Sequence, residues 1–197
     1  HQLKNRKLQS GAIENYESDW ATVVKKIYEA PDFIGELNKT GYFEKDLNIY
    51  LRGVIGPDNK LKEVFNFVKK RMNWNEISST SCDQDIVEAY GGATTGNSAE
   101  INLMLTAMLR YAGFDANPVL ISTRTHGIVN YPTAAAFNHV IVAVDFGGSR
   151  ILFDATSKHA LPNIIPINSL NGTGRLVKKD GSSIEISTLP KSKANEI

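Results

Sequence analysis

The sequence predicts an α+β domain in which a helical N-terminal part leads to a buried central helix packed on an antiparallel β-sheet. Three observations carry that prediction. Between Asn97 and Gly113, polar residues beyond the first turn fall only at Asn102, Thr106 and Arg110, a strip at i, i+4 and i+8. Ile101, Leu103, Met104, Leu105, Ala107, Met108 and Leu109 fill the other faces, and a helix apolar nearly all round is a buried one. Ahead of it, apolar residues recur at helical spacing. Behind it, short apolar runs flank Gly-Gly and Asp-Gly turns, the pattern of hairpins.

Taken in order, residues 15–27 place Tyr16, Trp20, Val23, Val24 and Ile27 on one helix face, and Pro31 stops that helix. Residues 44–51 predict a second helix, punctuated by Gly53 and Gly56. A third starts at Pro57, which suits a first helical turn, and carries the stripe Leu61, Val64, Phe65, Val68 and Met72. Lys69, Lys70 and Arg71 at its end suit the negative end of the helix dipole, so this charge run reads as a solvated helix end. Residues 75–97 are polar and glycine-rich and read as a long loop with one helical turn at 86–90. Long loops inside compact domains are usually functional. Asn97 then caps the buried helix, Glu100 three residues on completes a capping box, and Gly113 ends it. Strands are expected at 118–122, at 137–146 and 150–153 around Gly147-Gly148, and at 176–178 and 183–186 around Asp180-Gly181. The organisation expected is a helical extension over 1–56, a core over 57–190 and a frayed polar tail over 191–197.

Composition sets bounds on function. The hydrophobic fraction of 42%, the charged fraction of 22% and a net charge of +1 describe an ordinary globular protein. Nothing in that balance marks a nucleic-acid binder, and no apolar run is long enough for membrane insertion. The chain opens at His1 with no charged-then-apolar leader pattern, which leaves the compartment open. Its single cysteine, Cys82, cannot close an intrachain disulfide. No His, Cys, Asp and Glu grouping has metal-ligand spacing, so neither a metal nor another cofactor is expected.

Chemistry is expected where the buried helix meets the first hairpin. Ser98 stands in the first turn of that helix, where free N–H groups and the dipole favour negative charge. Counting back from a two-residue Gly147-Gly148 turn pairs Phe146 with Ser149 and Ile141 with Asp154. That puts His139 and Asp154 on one sheet face as diagonal neighbours, roughly 7–8 Å apart at the backbone. A carboxylate at that spacing can orient an imidazole. The alternative for Asp154 is a turn cap through Thr156 or Ser157. Asn97 and Asn138, each next to one of these positions, are candidate hydrogen-bond donors to a ligand carbonyl, or else cap and turn residues. Trp74, Tyr90 and Tyr131 are candidate groove-lining aromatics, or else core. His126, His159 and Cys82 read as bystanders. The glycine-rich run from Gly91 to Gly96 lacks the Lys-Ser/Thr of a phosphate loop and reads as a flexible lead into Ser98.

The segments GNSAEINLMLTAMLRYAGFDANPVLISTR, FNHVIVAV and ILFDATS resemble the core of the transglutaminase-like superfamily over about residues 57 to 160. The resemblance implies a papain-like fold and a Cys-His-Asp triad, with Ser98 on the cysteine, His139 on the histidine and Asp154 on the aspartate. It also implies an exported bacterial protein with neighbouring domains, periplasmic or extracellular. A serine is a weak nucleophile at neutral pH and stands in a site that the resemblance shapes for a thiolate. Three readings follow. The domain has lost catalysis and keeps a cleft for a peptide, protein or glycan; or it is a Ser-His-Asp hydrolase or acyltransferase using Ser98, His139 and Asp154; or it is a structural link in a larger chain.

Overall fold

The structure, a computed structural model, describes the backbone of residues 5–7 and 13–15, and residues 19–189 in full. The predicted tail and Tyr16 lie outside the described residues. A short antiparallel pair, β1 (Asn5–Lys7) and β2 (Ile13–Asn15), precedes helix α1 (Trp20–Glu29). The helix thus starts later than the apolar spacing predicts, because Asp19 caps it, its carboxylate accepting from the Thr22 N–H at 2.7 Å. It stops before Pro31, whose ring cannot continue the hydrogen-bond ladder, and a π-turn over Pro31–Gly35 follows.

Helices α2 (Glu44–Tyr50) and α3 (Pro57–Arg71) lie where their apolar stripes place them, and Leu47, Leu61, Val64, Phe65 and Val68 are buried. Next come β3 (Asn73–Trp74), α4 (Ile86–Gly91) and β4 (Thr95–Gly96). The parallel pairing of β3 with β4 was not expected from the sequence. It ties together the two ends of the long polar segment before the central helix. That helix, α5 (Ser98–Tyr111), is buried from Ser98 through Leu109. Both halves of its capping box form: the Glu100 N–H donates to Asn97 Oδ1 at 3.0 Å, and the Asn97 N–H donates to Glu100 Oε2 at 2.8 Å.

The remaining strands are β5 (Asp115–Ile121), β6 (His139–Phe146), β7 (Ser149–Phe153), β8 (Thr173–Val177) and β9 (Ser183–Ser187). They form one antiparallel sheet in the order β7-β6-β5-β8-β9. Phe146 pairs with Ser149 and Val142 with Phe153, the register counted from the Gly147-Gly148 turn, where both glycines hold positive φ. Val140, Val142 and Val144 face α5, while Ile141 and Ala143 face a second cluster closed by Ile165 and Leu170. With both faces covered, β6 reads as one apolar run rather than an alternation.

Candidate active site

Helix α5 and strand β6 meet through Asn102, one turn beyond Ser98. Its Nδ2 donates to the Val140 carbonyl at 2.7 Å and to Asp154 Oδ1 at 3.0 Å, and its Oδ1 accepts from the Ala155 N–H at 2.9 Å. This fully buried amide fixes the strand end that carries His139 and the residue after β7, Asp154. The only clue to it in the sequence is its place in the narrow polar strip Asn102, Thr106 and Arg110 on a mostly apolar helix.

His139 and Asp154 are in direct contact. Nε2 of the imidazole lies 2.9 Å from Asp154 Oδ2, which also accepts from Ser169 Oγ at 3.2 Å. Oδ1 accepts from the Thr156 N–H at 3.1 Å and the Thr156 hydroxyl at 2.7 Å. Asp154 therefore holds the imidazole and caps its own turn at once. Burial disfavours its charge, yet the facing His139 and the hydrogen bonds from His139, Asn102 and Thr156 outweigh burial and lower its pKa from 3.8 to about 2. An ionised Asp154 accepts a hydrogen from Nε2, so in the neutral tautomer that this contact favours Nδ1 is an acceptor.

Nδ1 does not meet Ser98. It lies 3.1 Å from the hydroxyl of Ser78, in the loop after β3. Ser98 is fully buried, and its hydroxyl is spent twice on the backbone of Ser79: it accepts from the N–H at 2.9 Å and donates to the carbonyl at 2.9 Å. The Ser98 N–H donates to the Ile77 carbonyl at 3.1 Å, as does the Trp74 indole N–H at 3.0 Å. Residues 77–79 thus lie across the start of α5, between Ser98 and the imidazole. The indole also meets the His139 ring edge-on, with centroids 6.4 Å apart.

The other sequence candidates divide. Trp74 is drawn to the histidine. Asn97 is used up as a cap, its Nδ2 donating to the Ser81 carbonyl at 2.9 Å and to Asp83 at 3.2 Å. Asn138 is used up on Thr123, accepting from its N–H at 2.8 Å and donating to its hydroxyl at 2.9 Å. Tyr90 lines no groove at this site: it is buried, its hydroxyl donates to Asp46 at 2.9 Å and its ring receives Arg71. Tyr131 and His126 lie in the exposed loop between β5 and β6. Cys82 is buried, and burial together with the nearby carboxylates of Glu100, Glu36, Asp32 and Asp83 pushes its thiol pKa well up, which makes it inert. Ser78, Ser79 and Asn102 are the residues that sequence reasoning missed.

Metal-ligand clusters are absent among the described residues. Also among them, no helix is long and apolar enough to cross a membrane. A groove of about 350 Å³ opens near the same end of the sheet, lined by Trp20, Phe137, Asn130, Asn171, Arg175 and Glu185 among others. Arg175 stacks over Trp20 at 5.3 Å and pairs with Glu185 at 2.9 Å, while Trp20 meets Phe137 edge-on at 5.5 Å.

A family model described as the transglutaminase-like superfamily matches residues 46–160. No curated protein matches the chain. Among solved structures, a protein of Parabacteroides distasonis ATCC 8503 provisionally described as a protease aligns with a TM-score of 0.59 at 14% identity, over 96% of this chain and 36% of that one. A protein of Cytophaga hutchinsonii provisionally described as a cysteine protease aligns at 0.46 and 14% identity, over 93% of this chain and 64% of that one. The chain therefore spans about a third of the first of these proteins. That first likeness is one of fold.

Proposed function

The chain belongs to the transglutaminase-like superfamily, and from that premise we propose a domain that has given up covalent chemistry at Ser98 and serves to recognise a peptide, protein or glycan within a larger protein. The observation that carries this reading is the state of the Ser98 hydroxyl, fully buried with its proton and an acceptor site both committed to the Ser79 backbone. A serine nucleophile needs a base within hydrogen-bond reach, and the imidazole beside it is already engaged by Ser78. The groove beyond Phe137 supports recognition. Aromatic rings, a carboxylate–guanidinium pair and two amides suit a ligand that offers both hydrogen-bonding groups and apolar faces.

The test uses Ser98→Cys. Iodoacetamide is expected to alkylate the new thiol only as fast as residues 77–79 open, with no dependence on His139. Fast alkylation that disappears in Ser98→Cys/His139→Ala would reveal a working thiolate–imidazolium pair and overturn the reading. For the groove, glycan and peptide arrays probed with the wild type and with Arg175→Ala should differ. Equal binding by both would remove the groove from the proposal.

A further inference from the structure

We propose that Ser78, and not Ser98, is the hydroxyl served by the His139–Asp154 pair, so that the domain holds a Ser78–His139–Asp154 relay able to attack activated acyl and phosphonyl electrophiles. The relay is continuous. Ser78 Oγ lies 3.1 Å from His139 Nδ1, and Nε2 of the same ring lies 2.9 Å from Asp154 Oδ2. The buried carboxylate orients the ring with Nδ1 as acceptor, so the Ser78 hydroxyl donates along the line on which its proton would leave. Ser78 is half-buried where Ser98 is fully buried, so the nucleophile that faces the base is also the one a reagent can approach.

Ser78 is held on both sides. The Asn75 side chain accepts from the Ile77 N–H at 3.0 Å, and the Ile77 carbonyl takes two donors, the Trp74 indole and the Ser98 N–H. Beyond it, the Ser79 N–H and carbonyl are both bound by Ser98 Oγ. Glu76 sits at φ 68°, a left-handed conformation that a non-glycine residue keeps only where its surroundings impose it. On this assignment Ser98 is a positioning residue: it fixes the backbone that presents Ser78.

The step balances with water as the only co-reactant. His139 Nδ1 takes the Ser78 proton as Oγ forms a bond to the ester carbonyl carbon. The carbon–oxygen bond to the leaving alcohol breaks, and the imidazolium returns the proton to that oxygen. Water then adds to the acyl-serine with His139 as base, the acid departs, and Oγ regains its proton. The Trp74 indole N–H and the Ser98 N–H both donate to the Ile77 carbonyl, so neither is free to hold a developing oxyanion. Each missing donor of that kind costs roughly 10²–10³ in rate. The substrate class is therefore esters and thioesters with good leaving groups, not amides.

The experiment treats the full chain with a fluorophosphonate probe and maps the adduct by peptide mass spectrometry, with a thermal melt of every variant. In that reaction the Ser78 Oγ–P bond forms, fluoride leaves, and the proton passes through His139 to solvent. The adduct is expected on Ser78. It should be absent in Ser78→Ala, reduced at least 100-fold in rate in the near-isosteric Asp154→Asn, and slowed about tenfold but still on Ser78 in Ser98→Ala. An adduct on Ser98 would overturn the proposal and the reading of Ser98 as inert together. No adduct on a folded wild type would overturn the relay alone. Labelling of Ser78 at an unchanged rate in folded Asp154→Asn would do the same, since a merely exposed serine does not depend on that carboxylate.

Discussion

Asp154→Asn separates the charge at the heart of the site from its shape. The carboxylate accepts from Asn102, from the Thr156 N–H and hydroxyl, from His139 and from Ser169. An asparagine that keeps its oxygen on the Asn102–Thr156 side retains three of these bonds and turns its NH₂ toward His139. The imidazole then presents a bare Nε2 and carries its hydrogen on Nδ1, so the geometry survives while the charge is lost. The size of that charge contribution follows from the pKa. Asp154 falls from 3.8 to about 2 on folding, and at 1.36 kcal/mol per unit this is about 2 kcal/mol. The folded pKa is the lower one, so the stabilisation is complete above the unfolded value and is lost as pH falls through the folded value. The expected gap between wild type and variant is about 2 kcal/mol near pH 6, about half that near pH 3, and close to zero below pH 2. Urea titrations followed by circular dichroism at several pH values give the gap directly. A gap that stays constant from pH 6 to pH 3 would refute the argument, because a packing defect has no reason to follow that titration.

Three further outcomes follow from buried groups. Glu100 accepts from the Asp83 and Gln84 N–H groups at 2.8 and 3.1 Å, and from the Asn97 N–H and the Gln84 side chain at 2.8 and 3.1 Å. Glu100→Gln sets an NH₂ against backbone donors and should cost about 2–4 kcal/mol in urea unfolding; a loss under 0.5 kcal/mol would mean the amide finds other partners. Cys82 should resist a thiol-exchange reagent such as DTNB in the native state and react once per chain in guanidinium; rapid native labelling would show that residues 75–84 open freely. In Gly174→Ala the new Cβ would stand 2.7 Å from Ile121, 2.9 Å from Val119 and 3.0 Å from the Leu120 carbonyl. With backbone on one side the strand must shift, and overpacking of this kind costs about 1–3 kcal/mol, read as a lower melting temperature.

How much of this the sequence disclosed depends on how local the cause was. The capping box at Asn97 and Glu100 and the Gly147-Gly148 turn are short-range devices, and both stand where the residues place them. The turn alone sets the register, and the register sets His139 beside Asp154. The start of α1 differs from the one the apolar spacing of Tyr16 and Trp20 predicts, because the Asp19 cap, accepting from the Thr22 N–H, sets the boundary. The partner of His139 was of another kind. Nothing in the run Ser78, Ser79, Thr80 and Ser81 marks one hydroxyl for the imidazole, and the choice rests on the path of the loop. That path is fixed by residues far along the chain: β4 pairs with β3 at one end, and the Ser98 N–H and hydroxyl hold Ile77 and Ser79 at the other. A cysteine at position 98 would bring a larger sulfur and a poorer hydrogen-bonding group to the Ser79 backbone, so the serine and the loop over it form one arrangement. The start of the helix grips the loop through the Ser98 hydroxyl on the Ser79 backbone, and the same loop holds the Ser78 hydroxyl 3.1 Å from His139 Nδ1.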